Sequence, residues 1–167
     1  MTMLIRIGFT GSREGMTTPQ MRAVYGYLAN VLIVNDNDPD IDGIEFHHGD
    51  CEGSDAEAHV IATVLGCRTV AHPPLLTIRR AWCRADEIRP PKGYLDRDYD
   101  ITQETGELLA APKTPEPYPL SGTWTTTGYA VRAGRPAKVF LPDGTMRAGS
   151  DLLRGGLTPG AICGEGD

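Results

Sequence analysis

The chain has 167 residues, 40% of them hydrophobic and 23% charged, a composition that excludes a disordered or fibrous protein and fits one ordinary soluble domain. Its formal net charge of −6 argues against a broad nucleic-acid-binding face and leaves only a local patch around Arg79, Arg80 and Arg84. No run reaches the ~20 apolar residues of a membrane span, and the N-terminal apolar core is too short for a signal peptide, so a cytoplasmic protein without a membrane partner is expected.

Met3 to Phe9 (MLIRIGF) reads as a first strand ending in the turn TGSR, and Thr17 to Val34 shows helical spacing in Met21, Val24, Leu28 and Leu32. Thr17 or Thr18 followed by Pro19 is a helix start signal. Asn35 to Gly43 (NDNDPDIDG) is a surface loop, and it lacks the loop glycine and closing glutamate of an EF-hand. Ile44 to His48 is a second strand, followed by the turn GDCEGSD and a helix ended by Gly66. Cys67 to His72 is a third strand, closed by Pro73 and Pro74. The order β-α-β-α-β predicts a parallel sheet with helices on its faces.

The pattern weakens from Leu75 to Gly93, which is expected to form a loop with some helix lying over the strand ends. Tyr94 to Thr105 can form a helix stopped by Gly106, and Glu107 to Ala111 a fourth strand. Four prolines between Pro112 and Pro119 favour an extended connector. A helix from about Thr123 to Ala133 and a fifth strand from Ala137 to Leu141 follow. The fold class expected is therefore α/β: a Rossmann-like, mainly parallel five-stranded sheet flanked by helices. It spans residues 1–142, with 143–167 as an irregular glycine-rich tail.

Three glycine-bearing turns follow predicted strands: Gly11-Ser12-Arg13, Gly49 to Asp55, and Ser121-Gly122-Thr123. In an open parallel sheet such turns gather on one edge, where ligands bind. The third turn opens a helix, whose free N–H groups and dipole suit an anion, most often a phosphate. Ser121, Thr123 and Thr125 add hydroxyls, although helix capping explains Ser121 and the threonines equally well. Arg13 can fork onto a phosphate or carboxylate, or make a surface ion pair. Arg97, in Asp96-Arg97-Asp98, fits a charged helix face as well as a site. Asp50, Glu52 and Asp55 can accept from ribose hydroxyls or act as acid–base groups, and Asp55 can equally be placed by the helix dipole. Neither a P-loop nor a GxGxxG turn is present.

His47, His48, Asp50 and Cys51 are metal-ligand types. Strand alternation points the two histidines to opposite faces, so no metal is expected. The four cysteines, Cys51, Cys67, Cys83 and Cys163, form no CxxC pair and read as reduced thiols, with Cys51 buried and inert. Trp124 is a core residue or shapes the pocket mouth.

Taken in order, IGFTGSR, HHGDCEGSDAEAHVIATVLG, the arginine of GYLDRDYDI, and LSGTWTTTGYAVRAGRPAKVF resemble the SLOG superfamily, which groups SMF/DprA DNA-processing proteins with LOG-type phosphoribohydrolases. The likeness is greatest to its YspA-like branch and covers about Ile5 to Leu141. It implies a Rossmann-like sheet and a nucleotide or nucleotide-derived small molecule as partner. The phosphate would lie on Gly122, Thr123 and nearby N–H groups, beside Gly11, Ser12 and Arg13, with Arg97 and Asp55 matching the family's arginine and acidic residue. Gly49, Ser121 and Thr125 complete the expected nucleotide site. Assembly into a homodimer or higher homo-oligomer is left open, and no cofactor is expected.

LOG-type enzymes cleave the N-glycosidic bond of nucleoside 5′-monophosphates with a loop reading PGGxGTxxE. Here Thr126 stands where that glutamate belongs. Cleavage passes through an oxocarbenium-like state that needs a carboxylate, for which Asp50, Glu104 and Asp98 are the candidates. A non-catalytic sensor or sequestering protein for a nucleotide or ADP-ribose-like ligand is the alternative.

Overall fold

A computed structural model describes residues 1–154. The chain runs β1 (Met3–Gly11), α1 (Thr18–Asn35), β2 (Ile41–His48), α2 (Ser54–Val64), β3 (Arg68–Ala71), a 3₁₀ turn (Thr77–Arg79), β4 (Glu87–Ile88), α3 (Tyr94–Glu104), β5 (Glu107–Ala111), α4 (Gly122–Arg132), β6 (Ala137–Phe140), β7 (Met146–Ala148) and α5 (Gly149–Leu152). The strands form one sheet in the order β4-β3-β2-β1-β5-β6-β7, parallel except for the β6–β7 pair.

Alternation along the strands divides the interior. Ile7, Phe9, Ile44, Phe46, Leu109 and Ala111 bury their side chains with Val24 and Leu28 of α1 and Ala58 and Ala62 of α2. Leu108 and Ala137 face Ile101 of α3 and Ala130 of α4 on the other side. The sheet is thus sandwiched between two helix layers, as a parallel sheet with crossover helices must be. The start of α1 is fixed by a capping box between Thr17 and Gln20. The Gln20 amide is buried and donates to the carbonyls of Pro112 (2.8 Å) and Phe140 (2.9 Å), tying the helix to the ends of β5 and β6.

Two of the seven strands lie outside the five expected. β4 has two residues, too few for any period to register, and pairs with β3 through Val70 and Ala71. β7 lies in the stretch read as an irregular tail, and α5 follows it. A turn at Asp143-Gly144 returns the chain, with Gly144 at φ +87° and the Asp143 carboxylate accepting from the Thr145 N–H. The three-residue strand among glycines gave no alternation to read. The remainder of the expected tail, including Cys163, lies outside the described residues. Among these, no helix is long and apolar enough to cross a membrane.

Candidate functional site

Strand order switches beside β1, where β5 joins on the side opposite β2. At such a point the outgoing loops diverge and leave a crevice. A cleft of about 530 Å³, counted out to solvent, opens there. Its walls are Phe9, Thr10, Gly11 and Arg13 from β1 and its turn, Gly49, Cys51 and Asp55 after β2, Tyr94, Arg97 and Asp98 from α3, and Gly122 and Thr123 from α4.

The turns are brought together by backbone packing. Gly53 has φ +84°, and a Cβ there would run into the Arg13 carbonyl, so only glycine lets the second turn lie on the first. Ser12 works from behind the wall: its carbonyl accepts from the Ser54 N–H (3.0 Å) and hydroxyl (2.7 Å), and its own hydroxyl accepts from the Glu14 N–H.

Arg97 is the central cation of the cleft and is 7% exposed. Its guanidinium donates to the carbonyl of Gly49, to that of His72 (3.3 Å) and to the Cys51 sulfur (3.4 Å). Its Nε stands 2.5 Å from Asp98 Oδ1 in an ionic contact, and Nε has no hydrogen-bond partner among the described residues. Arg13 and Arg97 both lie over the Tyr94 ring, 4.7 and 5.4 Å from its centroid.

Two carboxyl groups share the cleft with these arginines. Desolvation pushes Asp55 up to about 7, against the pull of Arg97 and of the Cys51 N–H it accepts (3.2 Å). Desolvation likewise raises Asp98, against Arg97 and the neighbouring Thr126 hydroxyl. Burial pushes the Cys51 thiol up, which keeps it protonated and unreactive.

At the start of α4 the hydroxyls divide by the partners they find. Ser121 is the N-cap, accepting from the Trp124 N–H at 3.2 Å. Thr126 and Thr127 donate back to the carbonyls of Gly122 and Thr123, each at 2.8 Å. Thr125 is half-buried and outside the cleft wall. Thr123 alone has a buried hydroxyl, 1% exposed, with no hydrogen-bond partner among the described residues. Beyond its chain neighbours and its own helix backbone, Gly122 beside it has no atom of the described residues within 4 Å of where a Cβ would stand.

The three candidate carboxylates separate. Asp98 lines the cleft, whereas Asp50 does not. Asp50 accepts from Arg80 Nε (2.7 Å) and the Cys83 N–H (2.8 Å), anchoring the 75–93 loop over the end of β2. Glu104 lies two helical turns beyond Arg97, paired with Arg89 (2.8 Å). The basic patch is partly neutralised, with Arg80 on Asp50 and Arg79 3.8 Å from Glu52. Trp124 is fully buried in the core with Ala110 and Val139, not at the mouth. Sequence reasoning missed Phe9, Thr10 and Tyr94 as cleft residues, and only Tyr94 carried a signal, as an aromatic within a turn of Arg97.

His47 and His48 do point to opposite faces, yet each meets a second histidine: His47 with His72 at 2.9 Å, His48 with His59 at 3.0 Å.

No protein-family model matches the sequence, and no curated protein matches it. Among solved structures it is similar to a molybdenum cofactor binding protein from Rippkaea orientalis, at 15% identity and TM-score 0.61, covering 83% of this chain and 77% of that one. The molybdenum cofactor carrier protein of Chlamydomonas reinhardtii matches at 18% identity and TM-score 0.58, covering 82% and 76%. DNA processing protein A of Streptococcus pneumoniae matches at 15% identity and TM-score 0.61, covering 96% of this chain but 59% of that one. The fold is the one that the resemblance to the SLOG superfamily implies.

Proposed function

We propose that the chain binds a nucleotide or nucleotide-derived small molecule in this cleft, with the phosphate seated on the amino end of α4 between Thr123 and Arg13. The observation that carries this reading is the Thr123 hydroxyl, buried at 1% exposure without a partner among the described residues. An unsatisfied buried hydroxyl costs about 1–3 kcal/mol. A phosphate oxygen accepting from it recovers that cost and meets the free N–H groups of an 11-residue helix. Arg97 supplies positive charge from the opposite wall, and the open space beside Gly122 lets the ligand approach backbone. Likeness to a cofactor-binding and a cofactor-carrier protein supports small-molecule binding, and the net charge of −6 favours it over nucleic acid.

A second reading adds cleavage of the N-glycosidic bond of a bound nucleoside 5′-monophosphate. It is favoured by Asp98, a carboxyl group on the cleft wall beside Thr126. Asp98 would face the developing positive charge of the sugar, and Asp55 would take the proton from the attacking water. Incubation with ribo- and deoxyribonucleoside 5′-monophosphates, followed by assay for free base, separates the readings. Release of base that is lost in Asp98→Asn establishes cleavage. Tight binding without release leaves a sensor or sequestering protein.

A further inference from the structure

Away from the cleft, three side chains from β2, the end of β3 and α3 converge on one point. His47 Nδ1 and His72 Nε2 are 2.9 Å apart, and Glu104 Oε2 lies 3.7 Å from the first and 3.9 Å from the second. Tetrahedral bonds of about 2.1 Å to nitrogen and oxygen place ligand atoms about 3.4 Å apart. The three separations bracket that value. His47 and His72 are buried, and the Glu104 side chain is 33% exposed, which leaves a path from solvent.

Hydrogen bonding behind the histidines distinguishes this cluster from the other one. His47 Nε2 lies 2.9 Å from Glu45 Oε1, so it carries the proton and donates to the carboxylate, leaving Nδ1 unprotonated; it accepts from His72 Nε2–H until His72 moves that proton to its other nitrogen, which frees both lone pairs. Glu45 is in turn held by Arg68 (2.7 Å) and Arg6 (3.2 Å). A carboxylate behind a histidine is the usual support of a metal ligand. On the opposite face His48, His59 and Cys83 also gather. There the Asp50 N–H donates to His48 Nδ1 at 3.1 Å, so the proton sits on Nε2 and is donated to His59. That arrangement is a satisfied hydrogen-bond chain with no lone pair on His48 to give.

We propose that His47, His72 and Glu104 form a three-ligand site for a divalent ion of the zinc class, open at its fourth position. Two imidazoles and one carboxylate suit zinc and its first-row neighbours over calcium or magnesium. The expectation of no metal rested on His47 and His48 sharing no face. His72 and Glu104 complete a set without His48. The ion would pin the carboxyl end of α3 to the sheet, and the His72 carbonyl that Arg97 reaches lies in the same clamp.

The test is titration of chelator-treated, dialysed protein with Zn²⁺ and with Co²⁺. Expected are one ion per chain, tetrahedral cobalt bands in the visible, no thiolate-to-cobalt charge-transfer band, and a melting temperature raised by the metal. Glu104→Gln should weaken binding at least about tenfold, and Cys83→Ser should leave it unchanged. Failure to bind stoichiometrically overturns the proposal, as does a thiolate band or undiminished affinity in a folded Glu104→Gln. Should that variant not fold, the cobalt spectrum of the unaltered chain still decides.

Discussion

Gly49 and Arg97 compete for one volume: the Gly49 carbonyl accepts from Arg97 Nη1, and a Cβ on Gly49 would overlap the guanidinium. Glycine at 49 is therefore a condition for the position of Arg97. Gly49→Ala must push Arg97 aside or bend the turn, and overpacking of this kind costs about 1–3 kcal/mol. Calorimetry should show nucleotide binding at least tenfold weaker, with a lower urea midpoint in the free protein.

Thr123→Val removes the buried cleft hydroxyl that lacks a hydrogen-bond partner among the described residues and keeps the side chain's shape. Affinity for a nucleoside monophosphate should fall by about 1 kcal/mol, roughly fivefold. The free protein should be as stable as before or more so, because no hydrogen bond is lost within it. A loss of stability without loss of affinity would assign the hydroxyl a structural role.

Gly122→Asp places a carboxylate at the amino end of α4 where the protein has open space. The fold should be kept, since the helix dipole favours an acid there, while phosphate affinity falls at least tenfold. Arg97→Ala should also abolish binding, but at a cost in stability. It strands Asp98 and Asp55 without their buried counter-charge, typically about 3–5 kcal/mol. Denaturation midpoints beside titration curves distinguish the two variants.

The layered fold was legible because short strand-like segments and helical segments alternated between glycine and proline stops, with helical spacing clear in α1 and α2. β4 and β7 were not, since strands of two and three residues have no period, and their pairing is decided by β3 and β6 beside them. The three turns were readable as a set, but which of their residues faces the cleft was not. Glu104 lies six positions after Asp98 on α3, and only the packing of that helix against β1 and α4 puts one in the cleft and the other among histidines. Alternation at His47 and His48 was visible. Their partners lie 25 and 11 residues away, beyond the reach of spacing.

Asp55 gives a pH dependence of definite sign. Its folded value of about 7 lies above the ordinary 3.8, so between these values the folded state holds a proton that the unfolded state has released. Its contribution to stability is therefore greatest at low pH and is lost as pH rises toward 7. Buried neutral histidines such as His72, lowered by desolvation to about 4, act in the opposite sense below pH 6.5. Comparison with Asp55→Asn isolates the aspartate: the variant should gain stability relative to the original chain between pH 5 and 8. Its phosphate affinity should also fall less over that range.

If the amino end of α4 holds a phosphate, the phosphate group itself must carry much of a ligand's affinity. Isothermal titration of the purified chain with each nucleoside 5′-monophosphate and with the matching nucleoside tests it directly. At least one monophosphate should bind, more than tenfold tighter than its nucleoside, with Thr123→Val narrowing the gap. Equal affinity for the two, or no binding by any nucleotide, would contradict it.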